Sequence, residues 1–328
     1  MANTQAIRIN QFGGPEQLAM TEVPLPPPGP REVQVRHTAI GINYIDTYHR
    51  SGLYPLPLPS GVGMEAAAVV EAVGSEVEGL TEGDRVAYGC GAPGAYSLRR
   101  NLVAELLIKV PASISDETAA AMMLKGMTAE YLLHRTYPVQ AGEWVLFHAA
   151  AGGLGTFAIQ WLRHLGARVI GTAGSAAKCA RALELGCEHV LNYRENDWVK
   201  QLRDLTAGQG VSVVYDGVGR ATFWNSLDCL RTRGMMVSLG NASGPAPAVE
   251  PTALSQRGSL FLTRPSLAAY VSTREDLLLS ANRVLEVVQS GAVNVQIGAR
   301  YPLEDAVQAH KDLEARSTTG ALLLLPKG

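Results

Sequence analysis

The spacing of hydrophobic positions changes partway along this chain. Up to about residue 125, short apolar runs are broken by turn residues, most clearly at Ala6–Gln11, Glu32–Ile40, Ala66–Val73 and Arg85–Tyr88. This pattern predicts an all-β, barrel-like module. From Asp116 the spacing becomes helical over Ala119–Leu133, and after Gly142 apolar strands alternate with amphipathic helices. Such alternation predicts a parallel, doubly wound sheet, so the fold class is α/β with a β-barrel domain in front.

The second module contains recurring strand candidates with helices between most of them. The predicted strands are Trp144–His148, Arg168–Thr172, His189–Asn192, Val211–Tyr215, Gly234–Leu239 and Gly258–Thr263. The predicted helices are Lys178–Leu185, Trp198–Leu205 and Phe223–Leu230. Further along, a helix over Arg274–Gln289 opens with a capping-box pattern at Ser272 and Glu275, and Gly320–Pro326 is expected to form a terminal strand.

The first strand of the second module leads into a glycine-rich turn. Ala149, Gly152 and Gly155 are spaced three apart, and an amphipathic helix follows. This is an A-x-x-G-x-x-G form of the dinucleotide fingerprint in the structural context that the motif requires. We expect the amides of Gly152, Gly153 and Leu154 to face a pyrophosphate at the helix N-terminus. The alternative is an ordinary βαβ turn without a ligand.

The end of the second strand indicates which dinucleotide is bound. An NAD site usually places an Asp or Glu there to accept from the ribose 2′-OH. Here the segment Gly174-Ser175-Ala176-Ala177-Lys178 follows the strand, and it contains no acid. A hydroxyl and an ammonium suit a 2′-phosphate, so this pattern predicts NADPH. A solvated helix lysine is the alternative for Lys178.

Composition limits the classes of partner. The chain has 328 residues, of which 47% are hydrophobic and 18% charged, which is enough for two domains with a sizeable core. A net charge of −2 gives no bulk attraction to nucleic acid or anionic membrane. The N-terminal segment lacks the apolar core of a signal peptide, and the four scattered cysteines fit reduced thiols, so we expect a cytoplasmic protein.

A series of short motifs runs through the whole chain. They are G-I-N-Y-I-D-T-Y-H-R-S-G-L-Y at 41–54, G-V-G-M-E-A-A at 61–67, G-D-R-V at 83–86, G-A-Y-S at 94–97, L-K-G-M-T at 124–128, H-A-A-A-G-G-L-G at 148–155, N-Y-R at 192–194, V-Y-D-G-V-G at 214–219 and T-R-P-S at 263–266. Together they resemble the medium-chain dehydrogenase/reductase superfamily, and within it the zinc-free quinone oxidoreductase (zeta-crystallin-like) family. The resemblance implies a chaperonin-10-like barrel at 1–125, completed by 267–328, and an NADPH-binding Rossmann domain at 126–266.

The chain departs from zinc alcohol dehydrogenases at the metal ligands. The first ligand region reads Gly41-Ile42-Asn43-Tyr44-Ile45-Asp46 without cysteine, and Met64 stands where the second has histidine. Between Gly83 and Leu107 the only cysteine is Cys90, so the structural-zinc loop is missing as well. A zinc site needs three or four converging ligands, so no metal is expected. Reduction of an activated acceptor by NADPH is then the expected chemistry.

The resemblance also suggests residues for the acceptor site. It implies that Asn43, Tyr48 and Tyr54 lie near the nicotinamide and the substrate, with Tyr48 as hydrogen-bond donor or proton relay and Tyr54 as a pocket wall. The alternative is that Asn43 caps a turn and both tyrosines pack on the barrel. Asp46 is expected to brace the loop helix rather than to catalyse.

Further residues are expected around the cofactor. Strand ends of a doubly wound sheet form the cofactor crevice, which points to Gly217 and Val218, and to Gly240 and Asn241. Tyr193, after the third strand, is expected at the adenosine-phosphate end. The resemblance adds a group that would contact the nicotinamide or close over the cofactor: Thr128, Phe261, Thr263 and Arg316. We expect His148 to bond backbone rather than to catalyse.

Two other functions stay open at this point. One is an NADPH-dependent enone or alkenal double-bond reductase, and the other is a non-enzymatic crystallin-like or RNA-binding role. The strand Gly258–Thr263 ends its sheet and is apolar, so it would be an exposed edge in a monomer. The resemblance implies that two copies join there, so we expect a homodimer, with Leu260 facing outward.

Overall fold

In the computed structural model, which describes residues 2–195 and 197–327, the chain divides into two units. The first, here called the barrel unit, comprises Met1–Met127, Val271–Gln289 and Val295–Gly328. The second, called the nucleotide unit, comprises Thr128–Tyr270 and Ser290–Asn294. Among the described residues, no helix is both long and apolar enough to cross a lipid bilayer.

The first part of the barrel unit is mainly β-structure with two helices. Its elements are β1 (Ala2–Ile9), β2 (Ala19–Leu25), β3 (Glu32–Ile42), α1 (Tyr44–Ser51), β4 (Ser60–Gly61), β5 (Glu65–Val73), β6 (Arg85–Tyr88), β7 (Arg99–Val103), β8 (Ile108–Lys109) and α2 (Asp116–Glu130). A π-helical turn over Tyr131–Thr136 continues α2.

The nucleotide unit alternates strands and helices. Its elements are β9 (Trp144–Phe147), α3 (Gly153–His164), β10 (Arg168–Ala173), α4 (Ala176–Leu185), β11 (His189–Asn192), α5 (Trp198–Leu205), β12 (Val211–Asp216), α6 (Phe223–Asp228), β13 (Leu230–Ser238), α7 (Pro251–Gln256), β14 (Phe261–Thr263) and α8 (Leu267–Tyr270). The chain then returns to the barrel unit as α9 (Arg274–Gln289), β15 (Ile297–Pro302), α10 (Ala306–Glu314) and β16 (Ala321–Leu325).

Each unit is built around its own sheets. In the nucleotide unit a six-stranded parallel sheet has the order β11-β10-β9-β12-β13-β14. In the barrel unit one sheet has the order β15-β16-β3-β5-β6-β8 with β7 also paired to β3, and a smaller one has the order β2-β1-β4. The terminal strand β16 pairs antiparallel with β3, so the end of the chain completes the sheet that begins near residue 32. The predicted fold class is therefore confirmed.

The two cores differ in the side chains that fill them. Strands of the barrel unit bury one face, with Val33, Val35 and Val70 among residues that are at most 2% exposed. In the parallel sheet, β12 is buried along its whole length because helices cover both faces of such a sheet. Leu146 and Val214 lie in that core and are fully buried.

Several predicted boundaries differ from the structure, and a single hydrogen bond accounts for the start of each of two helices. Helix α2 begins at Asp116 rather than Ala119 because Ser115 Oγ accepts the Thr118 N–H at 3.1 Å. At α9 the predicted cap is wrong. Thr273 Oγ1, not Ser272, accepts an N–H, from Asp276 at 3.1 Å.

The last strand of the parallel sheet is shorter than predicted. Gly258 and Ser259 have φ angles of 99° and 56°, a left-handed turn that a strand cannot contain, so β14 starts at Phe261. Leu260 is only 7% exposed and packs in the core, so its predicted outward orientation is wrong. Phe261, at 57% exposure, is the outward side chain, and β14 is the edge of the sheet as predicted.

Candidate active site

The turn between β9 and α3 has the shape that the fingerprint predicts. Gly152 is the N-cap of α3, so Gly153 and Leu154 occupy the first helical turn, where backbone N–H groups have no partner within the helix. Gly155 lets this turn pack closely, since a Cβ atom there would lie 2.6 Å from the Ala150 carbonyl oxygen. Ala149 has a φ of 53°, in the left-handed region that favours glycine. The loop can therefore bind a pyrophosphate through its amides.

Polar groups gather where β10 ends. Ser175 is the N-cap of α4, and its Oγ accepts the Lys178 N–H at 3.5 Å. A Cβ atom at Gly174 would lie 2.9 Å from Tyr193 Oη and 3.3 Å from Arg194 Nε. The absence of a side chain at Gly174 thus leaves room beside a phenol and a guanidinium. We call Ser175, Lys178, Tyr193 and Arg194 the β10 cluster. Their hydroxyl and cationic groups are donors that suit a phosphate.

Sequence reasoning named Tyr193 but missed Arg194 in this cluster. The signal was present, because Arg194 belongs to the N-Y-R motif directly after the third strand. Glu195, an acid in the same turn, accepts the Asn192 Nδ2–H at 3.1 Å. Its carboxylate is therefore bound by a neighbouring amide.

A buried carboxylate shapes the loop after β12. Asp216 is fully buried, and its Oδ1 accepts the N–H groups of Val218 at 2.8 Å and Gly219 at 3.0 Å. This bends the chain at Gly217 toward the end of β13, where a side chain at Gly240 would collide with the Gly217 carbonyl. The structure thus brings together the predicted pairs Gly217–Val218 and Gly240–Asn241. Asp216 was missed because nothing in its local sequence distinguishes it from an exposed turn acid.

His148 is a structural residue at the end of β9. Its Nε2 lies 2.9 Å from Ser226 Oγ, which donates onward to Asp216 Oδ2 at 2.8 Å, and its Nδ1 lies 2.8 Å from Thr172 Oγ1. Burial lowers the pKa of the His148 imidazole, so the ring is held neutral. The expectation of a backbone partner for this side chain is corrected, because both partners are hydroxyls.

The remaining cofactor candidates lie apart from these loops in sequence. Thr263 pairs with Val237 in the sheet, beside the exposed Phe261. Thr128 is half-buried on α2 at the start of the nucleotide unit. Arg316 follows α10 in the barrel unit, is exposed, and has a φ of 55°.

In the barrel unit, Asn43 begins the helix that carries the predicted tyrosines. Its backbone N–H donates to Asp46 Oδ2 at 2.8 Å, and its side-chain Nδ2 donates to Glu65 Oε2 at 2.8 Å. Asp46 therefore braces the loop helix, as expected. One turn along α1, the ring of Tyr48 meets that of Tyr54 edge to face, with centroids 5.2 Å apart. Both tyrosines are half-buried.

A buried ion pair between Glu65 and Lys125, which sequence reasoning missed, anchors Asn43 at the start of α1. Glu65 is fully buried, and its Oε2 also accepts from Lys125 Nζ at 2.9 Å, while Oε1 accepts the Leu124 N–H at 2.8 Å. Glu65 and Lys125 stand in two of the motifs, G-M-E and L-K-G-M-T, but 60 residues separate them along the chain. One carboxylate thus ties the start of α1 to α2.

Metal-ligating side chains were compared in space over the part of the chain that the structure describes. Within residues 2–195 and 197–327, no three side chains of the His, Cys, Asp and Glu types come together in an arrangement that could hold a metal ion. A zinc site requires such convergence.

Comparison with known proteins places both units in one group of dehydrogenases. Residues 29–141 match the alcohol dehydrogenase GroES-like domain, and residues 153–276 match the zinc-binding dehydrogenase domain. The second description names zinc, yet this chain lacks the ligand residues, as shown above.

Individual relatives extend over nearly the full chain. Quinone oxidoreductase 1 of Escherichia coli is 50% identical, over 98% of this chain and 99% of that protein. A 2-haloacrylate reductase of a Burkholderia species is 46% identical, over 97% and 98%. The crystal structure of Escherichia coli quinone oxidoreductase complexed with NADPH superposes with a TM-score of 0.96 at 50% identity, covering 99% of this chain and 100% of that one.

Proposed function

Since the chain belongs to the quinone oxidoreductase family of the medium-chain dehydrogenase/reductase superfamily, we propose that it reduces quinones with NADPH without zinc. The observation that carries this proposal is the β10 cluster, in which Tyr193 and Arg194 lie beside Gly174 while Ser175 and Lys178 stand at the start of α4. Cationic and hydroxyl donors favour the 2′-phosphate that distinguishes NADPH from NADH. The Escherichia coli relative that was crystallised with NADPH supports the same cofactor.

The nucleotide unit would hold the cofactor at several points. The amides of Gly152, Gly153 and Leu154 would bind the pyrophosphate, and the loops at Gly217–Val218 and Gly240–Asn241 would line its path. By family resemblance, Thr128, Phe261 and Thr263 would face the nicotinamide end and Arg316 would cover the cofactor. When bound, NADPH supplies the hydride.

The barrel unit would supply the groups that act on the acceptor. Hydride addition to a quinone leaves a phenolate-like oxygen, and a hydrogen-bond donor aimed at that oxygen stabilises the developing charge. We assign this donor to Tyr48, whose ring is steadied by its contact with Tyr54. Asn43 would hold the start of α1 through Glu65. The protein thus supplies position and one donor, and needs no Lewis acid.

A second candidate acceptor is an activated alkene. The 2-haloacrylate reductase relative, 46% identical, favours this alternative because the hydride donor and the scaffold would be the same. An enolate is a stronger base than a hydroquinone anion, so an alkene needs more help from a donor. We therefore expect the reaction to depend more strongly on Tyr48 with an alkene acceptor than with a quinone.

The test follows NADPH oxidation with 1,4-benzoquinone and with a 2-alkenal, in the wild type and in Tyr48→Phe. We expect quinone turnover in the wild type, and a lower kcat in the variant with little change in NADPH affinity, because the lost interaction strengthens with charge development. The loss should be larger for any alkenal activity. Tyr301→Phe, which loses a barrel hydroxyl that donates to Asp312 at 2.8 Å, is the control.

Two outcomes would contradict the assignment. Turnover in Tyr48→Phe within about twofold of the wild type for every acceptor, under ~0.5 kcal/mol of transition-state energy, would make Tyr48 a pocket wall. No NADPH oxidation by the wild type with any quinone would exclude quinone reduction itself.

We further propose a cytoplasmic homodimer. The reduced cysteines expected from the sequence are consistent with the four free thiols of the structure. The exposed edge strand β14, with Phe261 outward, supports pairing between two copies.

A further inference from the structure

Four buried side chains form a hydrogen-bonded chain inside the barrel unit. Arg50 Nη1 lies 3.0 Å from His310 Nδ1, His310 Nε2 lies 3.0 Å from Tyr96 Oη, and Tyr96 Oη lies 2.9 Å from Asp46 Oδ2. None of the four is more than 2% exposed. The chain, which we call the relay, joins α10 to the first turn of α1. At its outer end Arg50 also pairs with Glu314 at 2.7 Å.

Chemistry fixes the direction of every bond in the relay. A guanidinium can only donate, so His310 Nδ1 must accept from Arg50. The neutral ring then carries its proton on Nε2 and donates to the Tyr96 oxygen. The Tyr96 O–H is left to donate to Asp46. Burial, with a smaller effect from Arg50, lowers the pKa of His310 to about 3, so the ring is neutral near pH 7.

Asp46 is the acceptor at which the relay ends. Its Oδ2 accepts from both Tyr96 and the Asn43 N–H, whereas its Oδ1 is buried and has no hydrogen-bond partner among the described residues. Asp46 stands in the first turn of α1, where a negative charge stabilises the helix. Tyr48 lies on the same helix only two residues later.

We propose that Arg50, His310 and Tyr96 are positioning residues that favour the carboxylate form of Asp46, and that this charge keeps α1 and Tyr48 in place for turnover. This role rests on the proposed reduction of quinones, because it acts through Tyr48. None of the relay residues is assigned a contact with substrate or cofactor. It makes turnover depend on the protonation of a residue that does no chemistry.

Several charged groups act on Asp46 from the surrounding elements. Burial is the main cause that raises the pKa of Asp46, from 3.8 to about 7. Donation from Asn43 and Tyr96 and the charge of Lys125 on α2 lower this pKa, and the charge of Glu65 on β5 raises it. His310 on α10 and the cationic Arg50 on α1 are connected to Asp46 through the Tyr96 hydroxyl. Asp46 therefore changes charge near neutral pH.

The direction of two pH effects follows. Turnover should rise as pH increases through about 7, because Asp46 then becomes the carboxylate that α1 requires. The free energy of unfolding should respond in the opposite sense. An acid with a raised pKa binds more protons in the folded state, so its contribution to stability is full below about 3.8 and is lost as pH rises through about 7.

The experiment compares the wild type with Tyr96→Phe and Asp46→Asn. It measures kcat with quinone from about pH 5 to about pH 10, which covers the Asp46 pKa of about 7 and a rise of one to two units, and follows the labelled Asp46 carboxyl carbon by NMR. In Tyr96→Phe one donor to the carboxylate is lost, so both midpoints should move up by about one pH unit or more. Asp46→Asn should flatten the kcat profile at its low value. The KM for NADPH should stay within about twofold in both variants.

Tyr88→Phe is the matched control. Tyr88 is also a buried barrel tyrosine, 1% exposed, and its Oη lies 2.8 Å from His37 Nε2. Its loss should lower stability as Tyr96→Phe does, but leave the midpoint of the kcat profile unchanged.

The proposal is overturned if the Asp46 carboxyl of the wild type titrates near 3.8, or if Tyr96→Phe moves neither midpoint. If Tyr96→Phe does not fold, as judged by circular dichroism, His310→Gln takes its place with the same criterion, and the wild-type titration decides alone if both fail. A wild type that titrates near pH 7 but reduces no quinone would refute the proposed function and leave the relay standing.

Discussion

At the scale of single residues, the proposed preference for NADPH depends on the cations of the β10 cluster. Lys178→Ala and Arg194→Ala each remove a cation that would contact the 2′-phosphate. Loss of a charge-assisted hydrogen bond costs about 1.5–3 kcal/mol, or roughly 10–150-fold in affinity. We expect NADPH binding to weaken by that factor and NADH binding to stay nearly unchanged, as measured by titration of protein fluorescence.

Arg181→Ala is the control for this pair. Arg181 lies one turn further along α4 and pairs with Glu184 at 2.6 Å. Equal weakening of NADPH and NADH in Lys178→Ala and Arg194→Ala would show that these cations do not read the 2′-phosphate.

At the scale of an element, substitutions at the start of α9 test which hydroxyl caps this helix. Thr273→Ala should lower the free energy of unfolding by about 1 kcal/mol, because its Oγ1 accepts the Asp276 N–H at 3.1 Å. Ser272→Ala should change it by less than about 0.5 kcal/mol. Urea unfolding of both variants provides the measurement, and a larger loss in Ser272→Ala would reverse the assignment.

Elements with strong periodicity agree closely with the sequence prediction. Helix α9 spans Arg274–Gln289 and β11 spans His189–Asn192, both as predicted. Errors arise at ends, where one hydrogen bond or one φ angle decides. Because the Ser115 hydroxyl caps α2, this helix begins earlier than the prediction. Because Gly258 and Ser259 form a left-handed turn, β14 is shorter than the prediction.

At the scale of the whole molecule, the proposed dimer depends on the edge strand β14. Phe261 is the outward side chain, at 57% exposure, so Phe261→Glu should separate the proposed dimer. Sedimentation equilibrium should then give the mass of one chain instead of two. Leu279→Glu, which places the same charge at an exposed leucine of α9, is the control and should stay dimeric. A wild type that sediments as a monomer at micromolar concentration would end the proposal.

The sequence alone determined the two-part architecture, the dinucleotide turn and the edge position of the last strand. Each of these follows from patterns along the chain, since hydrophobic period, glycine spacing and the succession of strands and helices can be read from the sequence. The β10 segment likewise revealed the missing acid beside Ser175 and Lys178. It could not show that Arg194 lies near Gly174, because that contact requires two adjacent parallel strands.

Only the tertiary structure decided which polar residues act together inside each unit. Glu65 meets Lys125 across 60 residues, and Arg50 meets His310 across 260. No local pattern distinguishes such residues from exposed charges, because their burial depends on strands and helices that pack from distant parts of the chain. Tertiary packing likewise decides that the Leu260 side chain is buried in the core and that the Phe261 side chain is exposed to solvent. Sequence spacing thus predicts elements, whereas the partners of a buried charge follow from how those elements pack.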